Sequence, residues 1–265
     1  MLLLIHGFPT ASWDWEPLWS RLAERYRLLA LDMIGFGFSA KPPDYRYSIL
    51  DQADAHEALL RSQDVGEYHV LAHDYGDTVA QELLARQSEP GQRPRLRSAC
   101  FLNGGLFPEA HRPLLVQRLL LSPLGPWLAR RSNKKSLARS MRSIFGRNTA
   151  PSSELIDEFW QLLTCHDGLA VMPKLIGYMP ERRRHRARWV GALQAGSVPL
   201  KLIDGGADPI SGAQMVERYR ELVPNADVTL LPAIGHYPQI EAPSQVLEAY
   251  LAFRASLERR GPPVG

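Results

Sequence analysis

Asp74, Asp208 and His236 are the residues of this chain whose types and order could carry out covalent hydrolysis. An aspartate that attacks carbon, a histidine that activates water and a second acid that orients the histidine together make a two-step reaction. Asp74 stands in Tyr68-His-Val-Leu-Ala-His-Asp-Tyr-Gly76, an apolar run leading into a tight polar corner, followed by helix-forming residues as far as Glu82. That order reads as strand, turn, helix. A side chain at the crest of such a turn is pushed out of the sheet, and the small neighbours Ala72 and Gly76 let the backbone turn sharply. A carboxylate attacking an ordinary ester would form an anhydride, which is uphill. Attack on a saturated carbon bearing a halide, or on a strained epoxide, gives a stable alkyl ester of Asp74 that water can then cleave. The helix after Gly76 directs about half a positive charge at the crest, which favours an anion there. The competing expectation for Asp74 is a helix N-cap, an ordinary use of aspartate at a strand-to-helix corner.

These residues need a scaffold that brings distant loops together. Short apolar runs at 2–5, 27–31, before Asp74, and at 97–102, 198–203 and 227–231 alternate with helical stretches at 12–26, 48–65, after Gly76, up to 222 and at 243–259. The alternation predicts an α/β fold, a mostly parallel sheet flanked by helices. Asp208 and His236 each follow a predicted strand, on the sheet edge that carries Asp74, where open parallel sheets place their sites. Asp204 is an alternative acid, but it falls inside the strand. From 107 to 196 the alternation stops, and a helical pattern with Trp127, Phe145, Phe159, Trp160, Met172 and Trp189 predicts an inserted helical cap. The expected division is a core of 1–106 and 197–260, a cap of 107–196 and a loose tail of 261–265.

Composition narrows the class. The chain has 265 residues, 45% hydrophobic and 22% charged, as an ordinary globular protein does. A net charge of +3 does not suggest nucleic acid as a partner. Cys100 and Cys165 are too few and too separated for a disulfide framework, which points to a reducing, cytoplasmic setting. The apolar start, Met-Leu-Leu-Leu-Ile, is too short for export, and no run approaches the ~20 residues of a membrane span, so no integral membrane segment is expected. No histidine pair has zinc spacing, and the chemistry calls for no cofactor and no metal.

The motifs around these residues resemble a known family. His-Asp-Tyr-Gly at Asp74, His6-Gly-Phe-Pro9, Gly205-Gly-Ala-Asp-Pro209 and Gly235-His-Tyr-Pro238 together resemble the α/β-hydrolase superfamily, in its epoxide hydrolase and haloalkane dehalogenase branch. Asn103-Gly-Gly-Leu-Phe-Pro-Glu109 and Arg188-Trp-Val-Gly-Ala-Leu193 carry a closer likeness to the mesoderm-specific transcript hydrolases. The resemblance implies Asp74 as nucleophile, His236 as base and Asp208 as its orienting acid. It also implies an oxyanion hole from the backbone N–H groups of Phe8 and Tyr75.

The implied substrate is a small or medium apolar electrophile, an epoxide first and a haloalkane second. Dehalogenases of this branch usually place a tryptophan directly after the nucleophile, where this chain has Tyr75; Trp189 is the remaining candidate halide donor. Epoxide hydrolases use cap tyrosines, commonly two, to protonate the opening oxygen, and Tyr178 is the single tyrosine between 107 and 196. Phe107, Trp160 and Trp189 are expected to line the substrate pocket. His6 and His73 are expected to hold loops, and His111, His166 and His185 to sit at the surface or in packing. The run Arg182-Arg-Arg-His-Arg-Ala-Arg188 reads as a solvated helix face, with attraction of anionic substrates or a membrane surface as its functional alternative. A different class of function is a hydrolase-fold protein that binds without turnover. The family's usual two opening strands have no counterpart in this sequence, which leaves 27–31 as an exposed edge and an oligomer possible.

Overall fold

β1, Leu2–Ile5, is four consecutive apolar residues, all buried, the pattern of a parallel strand covered on both faces. The computed structural model describes residues 1–260, and the predicted tail at 261–265 lies outside them. The remaining strands are β2 (Leu28–Ala30), β3 (Glu67–His73), β4 (Arg95–Leu102), β5 (Leu200–Gly205) and β6 (Val228–Leu231). They form one parallel sheet in the order β2-β1-β3-β4-β5-β6. Register aligns Ile5 with Ala72, His73 with Leu102, and Gly205 with Leu231, so the carboxyl ends of these strands share one edge of the sheet. The short strand β2, half-buried throughout, is an outer strand, as the reading of 27–31 anticipated.

Alternation along the strands sorts two cores. Leu3, Ile5, Val70, Ala72, Ala99 and Phe101 face one side, against α2 (Ile49–Ser62) and α3 (Tyr75–Arg86). Leu2, Leu4, Leu71, Cys100, Leu102 and Ile203 face the other, against α1 (Glu16–Ala23) and the C-terminal helix (Pro243–Arg260). Helix starts follow local chemistry. The Ser48 hydroxyl accepts the Asp51 N–H at 3.1 Å and caps α2 as expected. The helix expected over 12–26 divides into a 3-10 turn, Ser12–Trp15, and α1, because Pro17 fits only the first turn of a new helix.

Between β4 and β5 lie seven α-helices: α4 (Leu115–Leu120), α5 (Gly125–Arg130), α6 (Lys134–Ile144), α7 (Ser153–Thr164), α8 (Gly168–Leu175), α9 (Tyr178–Arg184) and α10 (Arg186–Ala195). This helical insertion stands over the carboxyl edge of the sheet and is anchored to α3 through α10. Arg188 Nε and Trp189 Nε1 both donate to Glu82 of α3, at 2.7 and 2.8 Å. After β5 come α11 (Ala213–Leu222), α12 (Pro238–Glu241) and α13, the C-terminal helix already described. Among the described residues no helix is long and apolar enough to cross a membrane.

Candidate active site

Asp74 occupies the corner between β3 and α3 with φ 46° and ψ −103°, a conformation that costs a non-glycine residue about 1–3 kcal/mol. Packing on both sides enforces it. The Asp74 N–H donates to the Leu102 carbonyl at 3.1 Å, and Gly76 lies so close to β1 that a Cβ there would stand 2.4 Å from the Ile5 carbonyl oxygen. The carboxylate makes no capping bond to α3, so the N-cap expectation fails: the strained turn swings the side chain away from the helix amides. Oδ2 accepts the Phe8 N–H at 3.1 Å and lies 4.0 Å from His236 Nε2. Tyr75 opens α3, so its N–H is among those a helix start leaves without an intrahelical acceptor.

The loops after β5 and β6 complete the cluster. His236 Nδ1–H donates to Asp208 Oδ2 at 2.7 Å, which turns Nε2 toward Asp74. Asp208 also accepts from Asn103 Nδ2 at 3.0 Å, the Ser211 hydroxyl at 2.8 Å, and the Ile210 and Ser211 backbone N–H groups at 2.8 and 3.1 Å. Burial alone would raise the Asp208 pKa, but the His236 charge and these donors outweigh it and hold it below the usual carboxylate value. Burial works against charge on His236 too, yet the Asp208 carboxylate and, less strongly, Asp74 lift its pKa to about 9. Asp204, the alternative acid, has no hydrogen bond to either oxygen, and burial pushes its carboxyl well above the usual value. His6 and His73 hold loops: His6 Nε2 accepts the Met33 N–H at 3.1 Å, and His73 Nε2–H donates to the His236 carbonyl at 2.8 Å.

Other expected site residues divide. Tyr178 is brought in: its ring packs 4.9 Å from that of Tyr75 and 6.1 Å from that of Phe8, and its buried hydroxyl has no partner among the described residues. Burial and the nearby Asp74 charge raise its pKa, so it remains a neutral phenol. Trp189 is not brought in, because its indole N–H is committed to Glu82. Phe107 is buried in the core near Tyr219 and is not among the residues lining the pocket at His236, because the chain leaving β4 turns it inward. Trp160 does line the pocket. That pocket, about 320 Å³, runs from the insertion to Phe8 and His236, with Leu120, Met141, Ile144 and Met172 among its apolar walls.

Two residues of the site escaped the sequence. Arg182 is buried rather than solvated: its Nε–H donates to the Thr78 hydroxyl at 2.6 Å, and Nη2 to the Asp74 carbonyl at 2.9 Å. Nη2 also lies 3.7 Å from Asp74 Oδ1, and the guanidinium covers the Tyr178 ring at 4.4 Å. His111 is half-buried beside Arg182, where burial first, and then that positive charge, lower its pKa to about 3. The second residue is Glu241 of α12. Its carboxylate accepts the Gly235 and Tyr237 N–H groups on either side of His236 at 2.9 and 3.0 Å, and the Gly146 N–H at 2.7 Å. Among the described residues no group of His, Cys, Asp and Glu is arranged to hold a metal ion.

Known proteins resemble this chain in sequence and in fold. The mesoderm-specific transcript protein of Mus musculus is 43% identical over 262 residues, covering 96% of this chain and 78% of its own length. Among solved structures, the haloalkane dehalogenase DbeA of Bradyrhizobium elkani matches at a TM-score of 0.80 and 21% identity, covering 98% of this chain and 91% of its own. Epoxide hydrolase CorEH matches at a TM-score of 0.80 and 18% identity, covering 97% and 91%. At such identities the two structures show the fold alone. The profile described as "Alpha/beta hydrolase family" matches residues 2–249, from the first strand into the last helix, and the chain therefore belongs to the α/β-hydrolase family.

Proposed function

We propose that the protein hydrolyses a small or medium apolar electrophile, an epoxide first, through a covalent ester on Asp74. The observation that carries this reading is the direction of the Asp74 carboxylate, turned from its helix toward the Phe8 N–H and His236 Nε2. With Oδ2 held by Phe8, Oδ1 is free to attack a ring carbon. The carbon–oxygen bond breaks, and the departing oxygen takes the Tyr178 proton, giving a hydroxyalkyl ester. His236 then removes a proton from water, which attacks the ester carbonyl. The oxyanion is held by the Phe8 and Tyr75 N–H groups, and a loss of one such donor typically costs about 10²–10³ in rate. Collapse releases the diol and restores the carboxylate, and the proton on His236 returns to Tyr178 through solvent.

The electrostatics support this order. Esterification removes the Asp74 charge, one of the three that raise the His236 pKa, and so favours the neutral imidazole when a base is needed. The helical insertion serves as the cap and supplies most of an apolar pocket suited to an apolar substrate. Haloalkane hydrolysis ranks second because the indole of Trp189 is occupied. Binding without turnover is the reading of another class. The unpaired Cys100 and Cys165 fit the reducing, cytoplasmic setting proposed here.

The test is the intact mass of His236→Gln after incubation with a panel of epoxides and haloalkanes, followed by peptide mapping. An adduct on Asp74 that retains the epoxide oxygen is the expected result. A dehalogenated alkyl adduct would establish the halide route, and no adduct from any compound would remove the Asp74 mechanism in favour of binding without turnover.

A further inference from the structure

The small net charge of the chain conceals a strong local imbalance. Residues 110–153 contain nine arginines and lysines and not one aspartate or glutamate, against +3 for the whole sequence. Of these nine, only Lys134 has an acidic partner among the described residues, Asp157. Arg118, Arg130, Arg131 and Lys135 are exposed. The same stretch displays large apolar side chains to solvent: Leu115 is 71% exposed, Leu124 61% and Trp127 55%, with Val116, Leu119 and Leu121 beside them. The Arg131 guanidinium lies over the Trp127 ring at 4.6 Å, so cation and aromatic share one surface.

This face is continuous with the site. Val116, Leu119, Leu128 and Arg131 line the pocket that ends at His236, so the apolar patch runs into the pocket. Exposed apolar side chains interspersed with cations that lack acidic partners match the interior and headgroups of an anionic bilayer. A second copy is a poorer occupant, because a two-fold contact would set this basic face against itself. Nucleic acid would satisfy the cations but leave the leucines uncovered.

We infer that the α4–α5 face of the insertion docks on an anionic lipid surface, with the pocket mouth turned toward the membrane. The inference does not depend on the Asp74 chemistry, since docking is read without turnover.

Flotation of the purified protein with phosphatidylcholine vesicles, with and without phosphatidylglycerol, tests it directly. The expected result is binding to the anionic vesicles that weakens about tenfold or more on neutral vesicles or at high salt. Two double variants, Leu124→Asp with Trp127→Asp and Arg130→Glu with Lys135→Glu, should each reduce binding by about tenfold or more. All four side chains are exposed, so circular dichroism and Tm should be unchanged. Absence of vesicle binding, or binding that both variants leave intact, would overturn the inference. So would a dimer in solution that the Leu124 and Trp127 changes dissolve, or a preference for DNA over vesicles.

Discussion

An arginine buried beside a proposed nucleophile acts in two opposed ways: it can damp a carboxylate's reactivity, or it can hold the backbone that presents it. Distance decides between them. Arg182 Nη2 reaches the Asp74 carbonyl at 2.9 Å but the carboxylate only at 3.7 Å, and Nε fixes Thr78 in the first turn of α3. Arg182 is therefore a positioning residue for the crest. Arg182→Met should leave the Asp74 carbonyl and Thr78 hydroxyl without their donor, a loss of about 1–3 kcal/mol. We expect a lower Tm and slower ester formation on Asp74, read by mass in the His236→Gln background. Arg182→Lys should rescue little, since a single ammonium cannot span both acceptors. Unchanged ester formation in Arg182→Met would confine the residue to packing. Asp74 was legible because its neighbours Ala72 and Gly76 announce a sharp turn. Arg182 was not, because a row of arginines reads as solvated until the docking of α9 on α3 turns one of them inward. The indole of Trp189 was misjudged for the same reason: its partner, Glu82, lies 107 residues away.

At the level of elements, the loop carrying His236 is held by more than its own turn. Glu241 binds it on both sides and ties it to Gly146, just after α6, while the His236 N–H donates to the Ile144 carbonyl at 2.8 Å. The end of α6 and the histidine loop thus form one unit. In Glu241→Gln an amide NH₂ must face backbone donors, so at least one N–H loses its acceptor. The expected outcome is a fall of about tenfold in kcat with KM little changed, and faster hydrogen exchange at Gly235 and Tyr237. An intact kcat alongside faster exchange would show that the clamp does not set the histidine's position. The sheet and its helices could be read from the sequence because short continuous apolar runs alternate with helical stretches. The seven helices of the insertion could not be separated, since Pro and Gly interrupt them and their boundaries are set by packing on one another.

For the whole molecule, protonation is distributed unevenly. Five of the eight histidines have lowered pKa values, with burial the leading cause: His6 and His56 to about 4, and His69, His73 and His111 to about 3. Over the range from about 6.5 down to 4 the unfolded chain takes up protons there that the folded chain refuses, so stability falls as pH falls. His236 has the opposite sign. Its raised pKa contributes stability that is fully present below about 6.5 and is lost as pH rises through about 9. From these histidines Tm measured from pH 4 to 10 should therefore rise to a maximum near 6.5 and fall from there toward about 9, and His236→Gln should flatten only the alkaline side. A variant that instead kept the full alkaline loss would assign that loss to other groups. The pocket described above has a further consequence for the molecule's history and reuse. Nearly all its walls belong to the insertion, while Phe8, Pro9, Ile210 and His236 come from the sheet's loops. Recognition and reaction are thus partly separable: redrawing α4, α5 and α7 can change which molecules are admitted, while α9, which carries Tyr178 and Arg182, and the end of α6, which holds the His236 loop, must be kept.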